Sequence, residues 1–158
     1  MMALESIQKE AWFFVLDEPT TVLVADDDPI LCEFAKVHLS SPVATIETVE
    51  DGAAALSALE REPFDIAILD ISMPSLDGFS VLERIRSNPK LRYMPVIMLT
   101  GLEDIASIDR AFRLGASSFV TKPVNWRLLS YHIRYVLRAS RVEAQLRQAH
   151  GLAPEAAG

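Results

Sequence analysis

Short apolar runs rich in β-branched residues alternate, along most of the chain, with stretches whose apolar residues recur at helical spacing. The runs predict strands at residues 21–25, 43–49, 65–69, 95–99 and 117–121. The stretches between them predict helices at residues 29–39, 52–61, 76–86 and 105–114, with Pro29 suited to a first helical turn and Gly115 to a stop. Strands that alternate with helices predict one parallel sheet with right-handed crossovers and helices on both faces.

The chain is short and acidic. Its 158 residues suffice for one domain, and its net charge of -7 argues against a general binder of nucleic acid or of anionic membranes. Cys32 is the single cysteine, which excludes an intramolecular disulfide and fits a reducing compartment. The apolar run at residues 11–16 is far shorter than the ~20 residues that cross a bilayer, so we expect a cytoplasmic protein.

Polar side chains follow the predicted strands at the edge where the carboxyl ends of parallel strands meet. They are Asp26, Asp27 and Asp28 after the first strand, Asp70 after the third, Thr100 after the fourth and Lys122 after the fifth. Ligands bind at this edge in such sheets, so we expect these side chains to converge. Asp28 is well placed to cap the following helix, whereas two further acidic residues have no capping role left.

Three of these carboxylates form a candidate cation site. Asp26, Asp27 and Asp70 offer the hard oxygen ligands that Mg²⁺ prefers, and a divalent cation would relieve their mutual repulsion. Beside such a cation a carboxylate can attack phosphorus, while Lys122 supplies a positive charge and the Thr100 hydroxyl can donate to a phosphoryl oxygen.

Four segments, "LVADDDP", "ILDISMPSLDG", "PVIMLTG" and "FVTKP", resemble in order and spacing the receiver domain of bacterial two-component response regulators. The resemblance covers residues 21–138 and implies a flavodoxin-like, doubly wound α/β fold with strand order 2-1-3-4-5. It implies a phosphoacceptor served by a histidine kinase or a phosphotransfer protein, with no enzymatic activity beyond autophosphorylation and autodephosphorylation. We therefore divide the chain into an N-terminal extension (1–19), a receiver domain (20–138) and a helical extension with a flexible tail (139–158).

The resemblance also assigns roles to the matching residues. Asp70 would accept the phosphoryl group, and Mg²⁺ would be bound by Asp26, Asp27, Asp70 and the backbone carbonyl of Ser72. Lys122 would contact the phosphoryl group.

A switch is implied as well. Thr100 and Phe119 would respond together to phosphorylation, the hydroxyl moving toward a phosphoryl oxygen and the ring turning inward. Their movement would alter the surface formed by the fourth helix, the fifth strand and the fifth helix, which would bind a partner or a second copy of the chain. A cis peptide bond between Lys122 and Pro123, at the end of that strand, is usual in the family.

A final helix is predicted over residues 125–150, which contain neither Pro nor Gly. One heptad row is Leu129, Val136 and Glu143, and another is His132, Ala139 and Leu146; two of the six are polar or charged, so a coiled coil dimer and a solvated helix stay equal alternatives. The segment is similar to those that join receivers to catalytic modules in cyclic di-GMP signalling proteins. An output module absent from this chain and a stand-alone or phosphorelay receiver both stay open.

Two other functions use the same motifs. A Mg²⁺-dependent phosphatase would form the same aspartyl phosphate, but the position two beyond Asp70 is Ser72, which leaves no general acid for a leaving group. A docking module that is never phosphorylated is disfavoured because every part of the predicted site is present. A basic cluster is interpreted as a solvated face and consists of Arg84, Arg86, Lys90 and Arg92.

Leu102 generates a prediction about phosphate lifetime. In the family, the residues two beyond the phosphoacceptor and two beyond the switch hydroxyl flank the path of the hydrolytic water, and here these are Ser72 and Leu102. An apolar Leu102 cannot position water by hydrogen bonding, so we expect slow loss of phosphate from Asp70. Leu102→Glu and Leu102→Asn should lose the phosphoryl group severalfold faster, measured by intact mass after the donor is removed. Variants no faster than the parent would contradict this.

Overall fold

Five parallel strands, numbered along the chain, form one sheet in the order 2-1-3-4-5, as the resemblance to receiver domains implies. The strands are β1 (Thr20–Ala25), β2 (Ala44–Val49), β3 (Ile66–Asp70), β4 (Val96–Thr100) and β5 (Ser118–Thr121). The computed structural model describes residues 14–101 and 104–151. Every residue of β3 and β4 is buried because both faces of the central sheet are covered.

Each of five helices begins directly after an Asp or Asn. The helices are α1 (Pro29–Leu39), α2 (Gly52–Arg61), α3 (Gly78–Ser87), α4 (Ile105–Arg113) and α5 (Trp126–Ala149). The capping side chains accept a backbone N–H at 2.7 to 3.0 Å, and they are Asp28, Asp51, Asp77, Asp104 and Asn125. The capping role predicted for Asp28 is therefore confirmed. The third helix begins at Gly78 rather than at the predicted Leu76, because the cap is Asp77.

Two apolar cores lie on opposite faces of the sheet. One packs α1 and α5 against it through residues such as Leu39, Ile133 and Leu137. The other packs α2, α3 and α4 through residues such as Leu59 and Leu82. Since all the strand connections cross over these layers, the carboxyl ends of the strands are left open at one edge. None of the described helices combines the length and apolar character that crossing a membrane requires.

The long final helix confirms the prediction of an extended C-terminal helix but not the first heptad row. Leu129 and Val136 are buried in the domain core, so that row faces the sheet and cannot serve as a free dimer seam. The exposed apolar side chains of α5 lie instead on another face of the helix, with ordinary helical spacing, and are Leu128, Tyr131, Tyr135, Val142 and Leu146. In the second row, His132 is half-buried and bonds with the Ser118 hydroxyl.

The segment before β1 packs on the last helix. Leu16 is buried in the same core as Leu137. Asp17 lies 3.9 Å from Arg134, and Glu18 forms an ion pair with Arg141. The start of the described chain and the helical extension are thus held together.

Arg86 corrects the interpretation of its cluster as a solvated face. Its guanidinium is partly buried and donates to the carbonyl of Gly115 at 2.7 and 2.9 Å, and to those of Met94 at 2.5 Å and Arg92 at 3.2 Å. Gly115 has φ +100, and a Cβ there would lie 2.9 Å from Arg86 Nε, so this turn needs glycine. Arg86 therefore ties α3 to the loops that precede β4 and β5.

We predict that Arg86→Ala lowers the free energy of unfolding by about 2 to 4 kcal/mol, because partly buried carbonyls lose a charged donor. Arg84→Ala, a change at an exposed arginine of the same helix, should alter it by less than about 0.5 kcal/mol. Urea titration followed by circular dichroism measures both. Equal losses for the two variants would show that the carbonyl contacts of Arg86 contribute nothing specific.

Candidate functional site

The carboxyl ends of β1, β3, β4 and β5 bring the predicted polar residues to one mouth. Asp26 directly follows β1 and Lys122 directly follows β5. Asp70 and Thr100 are the last residues of β3 and β4 rather than the first residues after them. The Lys122 N–H donates to the Thr100 carbonyl at 2.8 Å, which extends the sheet by one contact toward the mouth.

Three carboxylates lie close enough to share one cation. Oxygen atoms of Asp26, Asp27 and Asp70 all lie within 4.8 Å of one another. Asp26 and Asp70 are buried, whereas Asp27 is exposed, so the cluster opens to solvent on one side. Like charges at these distances repel one another unless a cation intervenes.

The backbone holds two of the carboxylates in place. Asp26 Oδ1 accepts the N–H of Asp28 at 2.9 Å, and Asp70 Oδ1 accepts the N–H of Ser72 at 3.3 Å. Asp26 Oδ2 is fully buried, and its contact in the described part of the chain is the Lys122 ammonium at 2.8 Å. A buried oxygen with spare acceptor capacity, beside two further carboxylates, fits a hard divalent cation such as Mg²⁺.

Lys122 is the cation that the structure itself places among these carboxylates. Its Nζ lies 2.8 Å from Asp26 Oδ2 and 3.3 Å from Asp70 Oδ2. Burial lowers the pKa of Lys122, but its hydrogen bonds and charge contacts with Asp26 and Asp70 outweigh burial and leave the pKa above its ordinary value. Burial raises the pKa of Asp70, and the charge of Asp26 raises it further, while Lys122 opposes both.

The start of α3 fixes the backbone of Asp70. The N–H of Gly78 donates to the Ile71 carbonyl at 2.8 Å. A Cβ at position 78 would lie only 2.4 Å from the Asp70 carbonyl oxygen, so this close approach requires glycine. The pair Asp77-Gly78 therefore begins the helix and lets it touch the backbone of the predicted phosphoacceptor.

The remaining predicted residues lie around this centre. Thr100 is buried at the end of β4, and Phe119 in β5 is half-buried against the core that contains Phe79. Ser72 is exposed and lines an open cleft together with Asp27. The bond between Lys122 and Pro123 is cis, as expected. Leu102 lies outside the described residues.

Cys32 contacts the backbone of the carboxylate cluster, a role that its position in the sequence did not indicate. Its Sγ donates to the backbone carbonyl of Asp26 at 3.3 Å. Burial raises the pKa of Cys32 to about 11, and the negative charge of Asp26 adds to the effect. The thiol is therefore a neutral support for the loop that carries Asp26 and Asp27.

A five-stranded parallel sheet with three carboxylates and a lysine at the carboxyl ends of its strands is typical of flavodoxin-like signalling domains. Residues 22–134 match the family model for the response regulator receiver domain. The chain belongs to this family, whose members are generally signalling domains rather than enzymes and use Mg²⁺ at an acidic site.

Relatives agree with this assignment. The heme response regulator HssR of Staphylococcus aureus is 36% identical over 122 residues, which cover 77% of this chain and 53% of HssR. The chain thus spans about half the length of the curated relatives it matches.

Solved structures show the same fold. A CheY-like receiver domain protein from Methanospirillum hungatei superimposes with a TM-score of 0.72 at 30% identity, covering 78% of this chain and 98% of that one. The chemotaxis response regulator CheY4 of Vibrio cholerae gives a TM-score of 0.70 at 26% identity, covering 74% of this chain and 98% of that one.

We predict that Cys32 is inert to thiol reagents in the folded protein. With a pKa of about 11, fewer than about one thiol in a thousand is ionised at pH 7.5, and the side chain is buried. Iodoacetamide should leave the native protein unmodified by intact mass and add one carbamidomethyl group in urea. Equal rates of alkylation in buffer and in urea would contradict this prediction.

Proposed function

We propose that this domain is a Mg²⁺-dependent phosphoacceptor of a two-component system, in which Asp70 receives a phosphoryl group from a histidine kinase or a phosphotransfer protein. The observation that carries the proposal is the convergence of Asp26, Asp27 and Asp70 within 4.8 Å, with Lys122 against two of them. The acidic composition, with a net charge of -7, and the single cysteine support action in the cytoplasm.

In this proposal, Asp70 attacks the phosphorus atom, a P–O bond to its carboxylate forms, and the bond from phosphorus to the donor breaks. Asp26, Asp27, Asp70 and the backbone carbonyl of Ser72 would hold Mg²⁺. When bound, the cation would supply positive charge to the equatorial phosphoryl oxygens.

Lys122 has a distinct task in the same step. The ammonium lies 3.3 Å from Asp70 Oδ2 and is half-exposed toward the mouth, so it can follow that oxygen once it carries a phosphoryl group. The new group would draw Lys122 away from Asp26, whose carboxylate is left to the cation. Phosphorylation thus replaces one set of charge contacts with another rather than adding a charge to an unchanged site.

The response would pass through Thr100 and Phe119. Thr100 is buried at the mouth, so its hydroxyl is within the layer that a phosphoryl group would enter, and Phe119 is only half-buried, which leaves the ring room to turn inward. Phenylalanine has no hydroxyl, so packing decides between the two ring positions. The surface of α4, β5 and α5 would then change.

The altered surface would control an output. We propose that it acts on a C-terminal module outside these residues, with cyclic di-GMP turnover as one candidate activity, or on a second copy of the domain through the α4, β5 and α5 face or the α5 extension. The alternative is a stand-alone or phosphorelay receiver that binds a separate partner. In either case we propose residues 1–19 as an N-terminal extension, residues 20–138 as the receiver domain and residues 139–158 as a helical extension with a tail.

The proposal predicts that the parent protein gains one phosphoryl group, by intact mass, when it is incubated with acetyl phosphate and Mg²⁺. Asp70→Asn should gain none because the amide cannot act as the nucleophile, and omission of Mg²⁺ should also abolish the gain. Size-exclusion chromatography of the same samples tests whether phosphorylation promotes a dimer.

Asp51→Asn is the matched control, since Asp51 caps α2 and takes no part in the carboxylate cluster. It should be phosphorylated as the parent is. A parent that gains no phosphoryl group would favour a docking module. A steady release of phosphate from many equivalents of a phosphomonoester would favour the phosphatase.

A further inference from the structure

Among the described residues that line the cleft beside the carboxylate cluster, one side chain is cationic, that of Arg110. The cleft opens beside Asp27 and Ser72 and is bordered by Asp77, Phe79 and Arg110. Arg110 lies on α4, and Lys122, which follows β5, is not among the residues that line this cleft. The helix α4 carries none of the acidic residues at the mouth, so the sequence motifs give no reason to single out Arg110.

The guanidinium of Arg110 is held only loosely. Its central carbon lies 4.3 Å from the centre of the Phe79 ring, a cation–π contact. The side chain is exposed, and no carboxylate of the described residues forms an ion pair with it. Asp77, the acidic neighbour on the same cleft, is engaged by the N–H of Ser80 at 2.8 Å. A cation–π contact at an exposed site contributes only about 0.5 to 1 kcal/mol, so an incoming anion can readily replace it.

The charge around the cleft makes such a cation useful. A phosphoryl donor brings negative charge to a mouth that already holds Asp26, Asp27 and Asp70. Lys122 is engaged with two of these carboxylates at 2.8 and 3.3 Å, so it offers little attraction to a group still outside the mouth. Arg110 lines this cleft, and its positive charge can attract an anionic phosphoryl group.

We propose that Arg110 binds the phosphoryl group of the donor as it enters the cleft, and so determines which donors react fast. The donor would be a small acyl phosphate or a phosphorylated side chain, whose shared chemistry is an anionic phosphoryl group. The inference rests on the proposed function. The transfer itself is unchanged: Asp70 forms the new P–O bond, the bond to the donor breaks, and the leaving group departs with that electron pair.

The test compares Arg110→Gln with Arg113→Gln. Arg113 is an exposed arginine on the same helix and lines a different depression with Asp109 and Phe112. Its substitution therefore removes the same charge at a position outside the cleft. Initial rates of phosphoryl gain are measured by intact mass over a range of acetyl phosphate concentrations with saturating Mg²⁺. Arg110→Gln should lower the second-order rate constant about fivefold and leave the rate at saturating donor unchanged. A charge at the rim affects the association of the donor with the cleft rather than the transfer step. Arg113→Gln should stay within about twofold of the parent.

Three further measurements sharpen the result. Phosphoramidate carries less net negative charge than acetyl phosphate, so Arg110→Gln should lower the rate constant for phosphorylation by phosphoramidate by no more than about twofold. Added NaCl should narrow the difference between parent and Arg110→Gln, because screening weakens the attraction of an exposed charge. Arg110→Lys should recover most of the second-order rate constant, because it keeps the positive charge at the cleft. If Arg110→Gln were slow only because the contact with the Phe79 ring is lost, no such recovery would be expected.

The outcomes separate this inference from the proposed function. If the parent is phosphorylated at Asp70 and Arg110→Gln reacts as fast, the role of Arg110 is wrong while the function stands. If Arg113→Gln slows the reaction equally, the effect is one of overall charge and the role of Arg110 is again wrong. A parent that gains no phosphoryl group overturns both.

Discussion

The contact of one ammonium with two buried carboxylates is the constraint on which the rest of this structure depends. Asp26 directly follows β1 and Asp70 ends the adjacent strand β3, so without a cation their charges would oppose the pairing of β1 with β3. Lys122 lies 2.8 Å from one and 3.3 Å from the other, so its positive charge offsets this repulsion. Under the proposed function, the same ammonium would leave Asp26 when a divalent cation and a phosphoryl group are bound.

Supporting contacts keep the backbone at the mouth fixed while charges exchange. Gly78 brings the start of α3 against the carbonyl of Asp70, and the thiol of Cys32 donates to the carbonyl of Asp26. Both contacts involve main-chain atoms and neutral donors, so phosphorylation would leave them intact. At the rim the contacts are made by side chains, among them the contact of Arg110 with the Phe79 ring. Main-chain contacts thus hold the frame of the mouth, whereas charged side chains can change partners.

The sequence predicted the fold and the mouth because both follow from strand order along the chain. In a parallel sheet every strand delivers its last residue to the same edge, so Asp26, Asp70, Thr100 and Lys122 meet whatever the details of packing. Contacts between distant loops have no such rule. The carbonyls that Arg86 satisfies lie in two separate loops, and nothing in a basic cluster indicates that one member is turned inward. The heptad row of Leu129 and Val136 failed similarly, because a core-facing stripe and a dimer seam share the same spacing.

The last helix acts mechanically as a strut. Its 24 residues make a rod about 36 Å long, of which about half extends past Leu137, the last buried residue. A tilt of about 10° at Leu137 would displace the far end of the helix by about 3 Å. Yet that far portion is not free, since Arg147 lies 3.8 Å over the Tyr93 ring and Arg141 is paired with Glu18. Any rotation of α5 at its start beside the mouth must therefore either break these two contacts or move the loop before β4 and the segment before β1 with it. The helix thus couples three parts of the surface: the mouth, that loop and that segment.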